Sequence, residues 1–491
     1  MINIMFIAHS IKIHLYFYKC IEACAKENSC FQTAILIDEK MKAPNVSFSS
    51  SINWIDSKFS NFKENPLAVI DLNKISSKYT NVEIFKNYEE LKFCDWIVLE
   101  SNRSNTDVLN RYTRYGILTL NTFQNSIYNN LFNSDSLFLQ ILHQSTDSKN
   151  WSVFEQIDLK KEQGIKNNTY KILFNYSVFL TKLLRNNQVK TANIFSLKNR
   201  KSLVLKLNIL YYYINLVIII IKRKLDKSNL NWKLGIKKNE ELHFIDQPKQ
   251  SFWADPFVVK SEDDIYVYFE ELKENNIGRI SCIHLDSTFN IKEKQIILDE
   301  SYHFSYPNVF FKDNNYYMIP ESNQNNTLQL YKCDNFPFLW SHKMNLMEDI
   351  KLLDSNWIYH NNLYWIFANK VENFEYDNNE RLYLYYSEDL FSQNWQSHIK
   401  NPIIVDASLA RNAGNLWVED GKLFRVSQNC KHGYGENLVL NRIVELNTTN
   451  YVEEKIRELF PPKNYVGIHT QNRCEDIYVY DFLYKEHHHN S

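Results

Sequence analysis

One short pattern comes round five times between Ser251 and Phe482, and a chain that repeats itself this way has few folds open to it. Each copy is an apolar strand, a polar two-residue turn and an aromatic-rich strand. The copies read FVVKSEDDIYVYFEE, VFFKDNNYYMIPES, WIYHNNLYWIFAN, LWVEDGKLFRVSQN and RCEDIYVYDF. Counted at the second turn residue (Asp264, Asn315, Asn362, Gly421, Asp476), the period is roughly 50 residues, with hairpin chemistry in every unit. That is the signature of β-propeller blades. A single blade cannot bury both of its faces, so five are expected to close into a ring over residues 232–484, around a channel able to hold a site.

The polar residues fall where such a site needs them. Strands in a hairpin run antiparallel, so the start of the first and the end of the second share one end of the blade. Blade one opens with Trp253-Ala254-Asp255-Pro256 and closes with Glu270-Glu271; blade two opens with Ser305-Tyr306-Pro307 and closes with Pro320-Glu321-Ser322. The separation from proline to glutamate is the same in both. Asp255, Glu270 and Glu321 are therefore expected on one rim, with Tyr306, Arg411, Asn412, Gln428, Asn429, His469 and Thr470. Carboxylates, a guanidinium, amides and an imidazole suit sugar hydroxyls, and two carboxylates across a sugar-sized gap suit acid/base work at an anomeric carbon. The plain alternative is that Asp-Pro merely forms a turn, a strand-end Glu is solvated and His469 is a hydrogen-bonded core residue. Shared register on adjacent blades favours the functional reading. In it Asp255 and Glu321 are catalytic, Glu270, Tyr306, Arg411, Asn412, Gln428 and His469 bind substrate, and no metal is expected.

The stretch WADPF…YVYFEE…YHFSYPNVF…YYMIPES…FPFLW, followed by ARNAGNLW, FRVSQNCKHGYG and GIHT, resembles a known family. It is similar to the propeller found N-terminal in plant glucosamine inositolphosphorylceramide transferases, and in bacterial proteins that join it to a formyltransferase-like region. More remotely the ring resembles five-bladed glycoside hydrolases such as arabinanases and invertases. That likeness implies Asp255 as base or nucleophile and Glu321 as acid. It also implies an orienting Asp on blade two, where this chain has Tyr306, a departure that speaks against plain hydrolysis. YYSEDLFSQNW (Tyr385–Trp395) resembles a recurring blade turn with a structural role.

With 491 residues there is room for two or three domains, and a net charge of −1 offers no global field for nucleic acid. Aromatics make up 15% of the chain, which fits blade packing and sugar stacking. The eight cysteines show no CxxC pair and read as reduced thiols in a cytosolic setting. The opening MINIMFIAHS… lacks the layout of a signal peptide and reads as strand then helix.

Residues 1–150 have another rhythm: strands at 2–8, 33–37, 96–100 and 116–121, with helices at 15–25 and 105–114. Alternation of this kind predicts an α/β, Rossmann-like domain with a parallel sheet. It carries no GxGxxG and no P-loop. DWIVL (Asp95–Leu99) followed by RYGILTLNT resembles formyltransferase-type domains, but LNTFQNSIYNN holds no histidine where active members have one. Formyl transfer from a folate is thus not supported; a degenerate scaffold or a different donor remain open.

The expected connector, 151–231, contains the uncharged run Leu207–Ile221 with Lys198, Arg200 and Lys201 before it and Lys222, Arg223 and Lys224 after. It is shorter than the ~20 residues that span a bilayer. A buried interdomain element, a surface-lying helix over 203–224 held on anionic lipid, and a true span all stay open. The tail 485–491, with His487, His488 and His489, reads as disordered. Together these readings predict a carbohydrate-active protein that transfers sugar, or assists transfer, in building a surface or lipid-linked glycan. It would work in the cytoplasm or at the inner face of the membrane, with a nucleotide sugar as the one donor considered. The rivals are a non-catalytic glycan-binding propeller, a glycoside hydrolase, and a formyl- or acyl-transferase acting on a sugar.

Overall fold

The computed structural model describes residues 1–27, 29–39, 65–100, 106–120, 137–148, 150–162, 164–186, 211–215, 218, 229–248, 251–371 and 378–486. Two compact units divide at Lys222 and Arg223.

The second unit is a ring of five four-stranded blades, each counting its innermost strand first. Blade one runs Trp253–Ser261, Asp264–Leu272, Gly278–Leu285 and Ile291–Leu298. Blade two has its inner strand at Ser305–Lys312, blade three at Leu352–His360, blade four in two pieces at Arg411–Asn412 and Trp417–Glu419, and blade five at Gly467–Cys474. The fifth sheet is completed from far upstream: Asn229–Lys238 pairs antiparallel with Ile477–Glu486, and Glu241–Phe244 forms its edge. The first strand of the domain thus latches the last, so the ring has no open seam.

Hairpin turns fix the blades. Ser261 pairs with Asp264 and Lys312 with Asn315, which puts the two-residue turns at Glu262-Asp263 and Asp313-Asn314, one residue earlier than expected in blades one and two. Asp313 and Asn314, Asn361 and Asn362, and Asp420 and Gly421 all adopt positive φ, as tight hairpins of right-twisted strands require. Between blades, aliphatic and aromatic side chains interlock; Tyr268, Ile280 and Cys282 of blade one meet Val309, Met318 and Trp340 of blade two.

Gly414 stands where the inner strand of blade four is interrupted. Its φ is +137°, and a Cβ there would lie 1.9 Å from the carbonyl oxygen of Gln471 on blade five. Gly414→Ala is expected to destabilise the propeller by about 2–4 kcal/mol, from left-handed strain plus the clash. Gly421→Ala, in a turn with nothing within 4 Å of the added carbon, should lose only about 1 kcal/mol. Denaturant midpoints of the two variants measure the contrast.

The first unit, among the described residues, is built on a seven-stranded sheet. Its order is Val82–Phe85, Phe31–Ile37, Ile2–Ala8, Trp96–Leu99, Ile117–Leu120, Leu137–Gln144, Ser152–Leu159. The first five strands run parallel, and Leu137–Gln144 pairs antiparallel with both Ile117–Leu120 and Ser152–Leu159. The formyltransferase-like, Rossmann-like α/β domain expected from the sequence is not supported. Strands dominate, and the connections Asn73–Lys78 and Thr106–Leu109 are hardly more than single helical turns.

The boundary at 150 also moves. Ser152–Leu159 belongs to this sheet, and the helix Ile165–Asn186 packs on Leu15–Lys26. Of the apolar run 207–221, the helical turn 211–215 and residue 218 are described. Tyr213 is buried, and the Tyr212 hydroxyl accepts a hydrogen bond from the Gly164 N–H at 3.2 Å. The rest of that run, the flanking 219–228 and residues 487–491 lie outside the described residues. Among the described helices none is long and apolar enough to cross a membrane.

Candidate functional site

Every blade sends one side chain toward the ring axis from the start of its inner strand. In blades one, two and three the pairing slips at this point, between Ala254 and Phe257, Ser305 and Asn308, and Leu353 and Asn356. The residue thrown out by each bulge has left-handed backbone: Asp255 (φ +51°), Tyr306 (φ +47°) and Asp354 (φ +47°). None is glycine, so each conformation costs of order 1–3 kcal/mol and persists because the surroundings over-determine it. His469 occupies the corresponding place in blade five, at the slip between Ile468 and Gln471, and Arg411 of blade four, paired with Gln428 as Ala254 is with Glu270, completes the cluster. All five residues are 7% exposed or less.

The inner-strand starts of blades one, three and four are held from the neighbouring blade through a backbone N–H, and the Tyr306 hydroxyl of blade two accepts from Asn356 Nδ2 at 2.9 Å. The Asp354 N–H donates to Glu321 Oε2 at 3.1 Å, the Asn412 N–H to Asn369 Oδ1 at 3.1 Å, and the Asp255 N–H to Asp481 Oδ2 at 2.8 Å. Asp481 also accepts from the N–H groups of His469 (3.2 Å) and Thr470 (2.9 Å). This relay of polar caps fixes the geometry of the centre.

Charges at the centre are paired but not uniformly. Asp255 Oδ1 accepts from the Thr470 hydroxyl at 2.9 Å and lies 2.9 Å from His469 Nε2, while His469 Nδ1 lies 2.9 Å from Asp481 Oδ1. Burial alone would raise the Asp255 carboxyl, but His469, Thr470 and Arg411 hold it below its ordinary value. Burial likewise opposes charge on His469, yet Asp481 and Asp255 prevail and push it up to about 10. Asp255, His469 and Asp481 offer ligand atoms within 4.8 Å of one another.

Across the centre the Arg411 guanidinium grips the Asp354 carboxylate through Nε and through Nη2, the latter at 3.0 Å. Glu321 is pushed up to about 8, chiefly by burial and then by the neighbouring Asp354 charge. It therefore keeps its proton at neutral pH while Asp255 does not. Glu270 is raised too, by burial first, and faces His303 Nε2 at 3.2 Å. The Gly278 N–H donates to His303 Nδ1 at 2.9 Å, which leaves the ring proton of the neutral imidazole on Nε2, toward Glu270.

The structure sorts the expected residues. Asp255, Glu270, Tyr306, Glu321, Arg411 and His469 all meet at the centre, where their charges influence one another. Glu271, beside Glu270, faces away and pairs with Lys294 and Arg279. Asn412 and Gln428 are fully buried and spend their amides on the framework: Asn412 Nδ2 donates to the Asp354 and Phe367 carbonyls, and Gln428 Nε2 to the Asn412 carbonyl. They brace the ring rather than line its opening. Three participants escaped sequence reasoning: Asp354, Asp481 and His303. Asp354 holds in Leu353-Asp354-Ser355 the place of Asp255 and Tyr306, but without the proline that marked those bulges. A carboxylate ending the last strand of the repeat signalled Asp481, and His303 stood unread inside YHFSYPNVF. Aromatic rings roof the basic side, with Trp232 4.0 Å and Tyr434 5.2 Å from His469 and Arg411 5.7 Å from the Tyr434 ring.

With this geometry in view, comparison identifies the domain. Residues 240–468 match the family described as glucosamine inositolphosphorylceramide transferase 1, N-terminal. Over those residues the propeller is similar to that N-terminal domain. The Arabidopsis thaliana protein named glucosamine inositolphosphorylceramide transferase 1 is 32% identical over 212 residues, 42% of this chain and 27% of its own length. Its Oryza sativa subsp. japonica counterpart is 34% identical over 209 residues, 41% of this chain and 28% of the relative. The chain thus spans little more than a quarter of the curated relatives it matches. A family 117 glycoside hydrolase from Zobellia galactanivorans overlays 51% of this chain and 90% of its own, at 10% identity and a TM-score of 0.36. An overlay that loose transfers no chemistry.

Proposed function

We propose that this protein handles sugars in the assembly of a surface or lipid-linked glycan, with the propeller's axial cluster as the place where a glycosidic centre is engaged. The observation that carries this reading is the opposed protonation of two buried carboxyls in one channel: Asp255 held ionised, Glu321 held protonated near neutral pH. Environments that push two carboxyls apart assign base and acid roles. In this reading Asp255 accepts a proton or attacks the anomeric carbon, and Glu321 protonates the departing oxygen. Arg411 fixes Asp354; burial first, and then the Asp354 charge, keeps Glu321 protonated, and His469 keeps Asp255 ionised. Glu270, with His303 behind it, is the further polar group offered to hydroxyls. The transferase names of the relatives support transfer, and a nucleotide sugar is the donor proposed.

The test is incubation of the full chain with a panel of nucleotide sugars and membrane extract, following products by mass. A new glycosylated lipid or oligosaccharide, absent with Asp255→Asn, is expected. Release of free sugar alone would replace transfer by hydrolysis. A second reading, a propeller that binds glycans without turnover, is favoured by the pairing of Asp255 and Asp481 with His469 and of Asp354 with Arg411. It predicts sugar binding weakened in Asp255→Asn and no product under any donor.

A further inference from the structure

A cavity of about 500 Å³ opens at the other end of the same channel. Its walls come from the far ends of the inner strands: Asn308, Phe310, Trp357, Tyr359, Asn415 and Trp417. From Asp354 to Tyr359 a strand climbs roughly 16 Å, so the outer wall of the cavity at Tyr359 stands apart from the acidic centre, while its floor at Asn308 lies two residues beyond axial Tyr306. We propose that it is a second saccharide-binding site, one that takes a neutral sugar ring.

Three observations single out that ligand. Asn308 is fully buried, and its Nδ2 donates to the Ser355 carbonyl at 3.1 Å, yet its Oδ1 has no partner. A buried acceptor without a donor is costly, and a small shift of this side chain toward the cavity would let a ligand hydroxyl satisfy it. The walls are aromatic and already braced: Trp357 rests edge-on against Phe310 at 4.6 Å, and Trp417 is packed by Phe424 at 5.6 Å and by the Arg473 guanidinium at 4.7 Å. Fixed rings spare the ligand the entropy of ordering them and suit the C–H face of a sugar. Finally, charge at the mouth is compensated. Arg473 pairs with Glu419 at 3.5 Å and Glu475 with Lys260 at 2.6 Å, so a phosphate or carboxylate would have to displace an existing partner. A hydroxyl-rich, uncharged ring meets an amide, aromatic walls and no net field.

The proposal stands whether or not the axial cluster turns over substrate. The full chain is titrated with methyl glycosides of glucose, galactose, mannose, xylose and N-acetylglucosamine, with inorganic phosphate in parallel, using saturation-transfer NMR and tryptophan fluorescence. At least one glycoside is expected to bind saturably, phosphate not to compete, and affinity to fall roughly tenfold or more in Trp417→Ala. Tyr359→Ser, at a half-exposed position that leaves the fold intact, is expected to weaken the same binding. The proposal is overturned if no glycoside saturates, if phosphate displaces the sugar, or if binding survives both variants but vanishes in Asp255→Asn, which would assign it to the axial cluster.

Discussion

Glu321→Gln is expected to lower any turnover the propeller supports by about 10²–10⁴-fold, the usual contribution of a positioned general acid. Glutamine keeps the shape and can still meet the Asp354 N–H through its carbonyl oxygen, but it has no proton to give. In the wild type, activity should fall as pH rises through about 8, because the deprotonated form of Glu321 cannot act as acid. That alkaline limb should be absent from whatever residual activity the variant retains. Stability offers an independent reading. The native state holds a proton that the unfolded chain releases near the ordinary value of 4.5, so wild-type stability falls between there and about 8. The variant lacks this loss, and its unfolding midpoint relative to wild type should improve steadily across the same interval. Parallel pH dependence of the two proteins would argue against a protonated Glu321.

Arg411→Ala is the substitution expected to damage the fold most, by about 3–5 kcal/mol. The guanidinium and the Asp354 carboxylate form a bidentate pair with side chains 9% and 3% exposed, so deleting the cation strands a buried charge. Lysine should rescue little of the loss, since an ammonium cannot reproduce the two-pronged geometry. Arg411→Met combined with Asp354→Leu should recover much of it, because no unpaired charge remains. Urea unfolding of the three variants separates a structural pair from a dispensable one: equal midpoints for wild type and Arg411→Ala would dismiss it.

The parts of this architecture that sequence exposes are those encoded locally. Turn pairs such as Asn361-Asn362 and Asp420-Gly421 announce hairpins through residues that tolerate left-handed backbone, and their recurrence gives the blade count. Asp255-Pro256 and Tyr306-Pro307 announce bulges because proline marks them. Asp354 occupies an identical bulge followed by Ser355, and without proline the signal disappears although the geometry is the same. Ring closure is less visible still: Asn229–Lys238 meets Ile477–Glu486 across the whole domain, and no short-range pattern encodes that pairing. Asn412 and Gln428 looked like sugar ligands because they sit beside true axial residues, but side chains alternate along a strand and theirs point into the framework. In the first unit the strands were readable as apolar runs. The helix Ile165–Asn186 was not, because it buries Asn167, Asn168, Thr169, Lys171 and Asn175 and so is weakly apolar overall.

The central claim is that five blades create, at one point, a carboxylate that stays charged and a carboxyl that stays protonated. Difference infrared spectra of the wild type against Glu321→Gln, recorded across a pH series, test it most directly. A protonated carboxyl C=O band assigned to Glu321 should be present at neutral pH and disappear as pH rises through about 8. If that band is absent at neutral pH, or titrates near the ordinary glutamate value, the acid and the base of this site are not what the propeller builds.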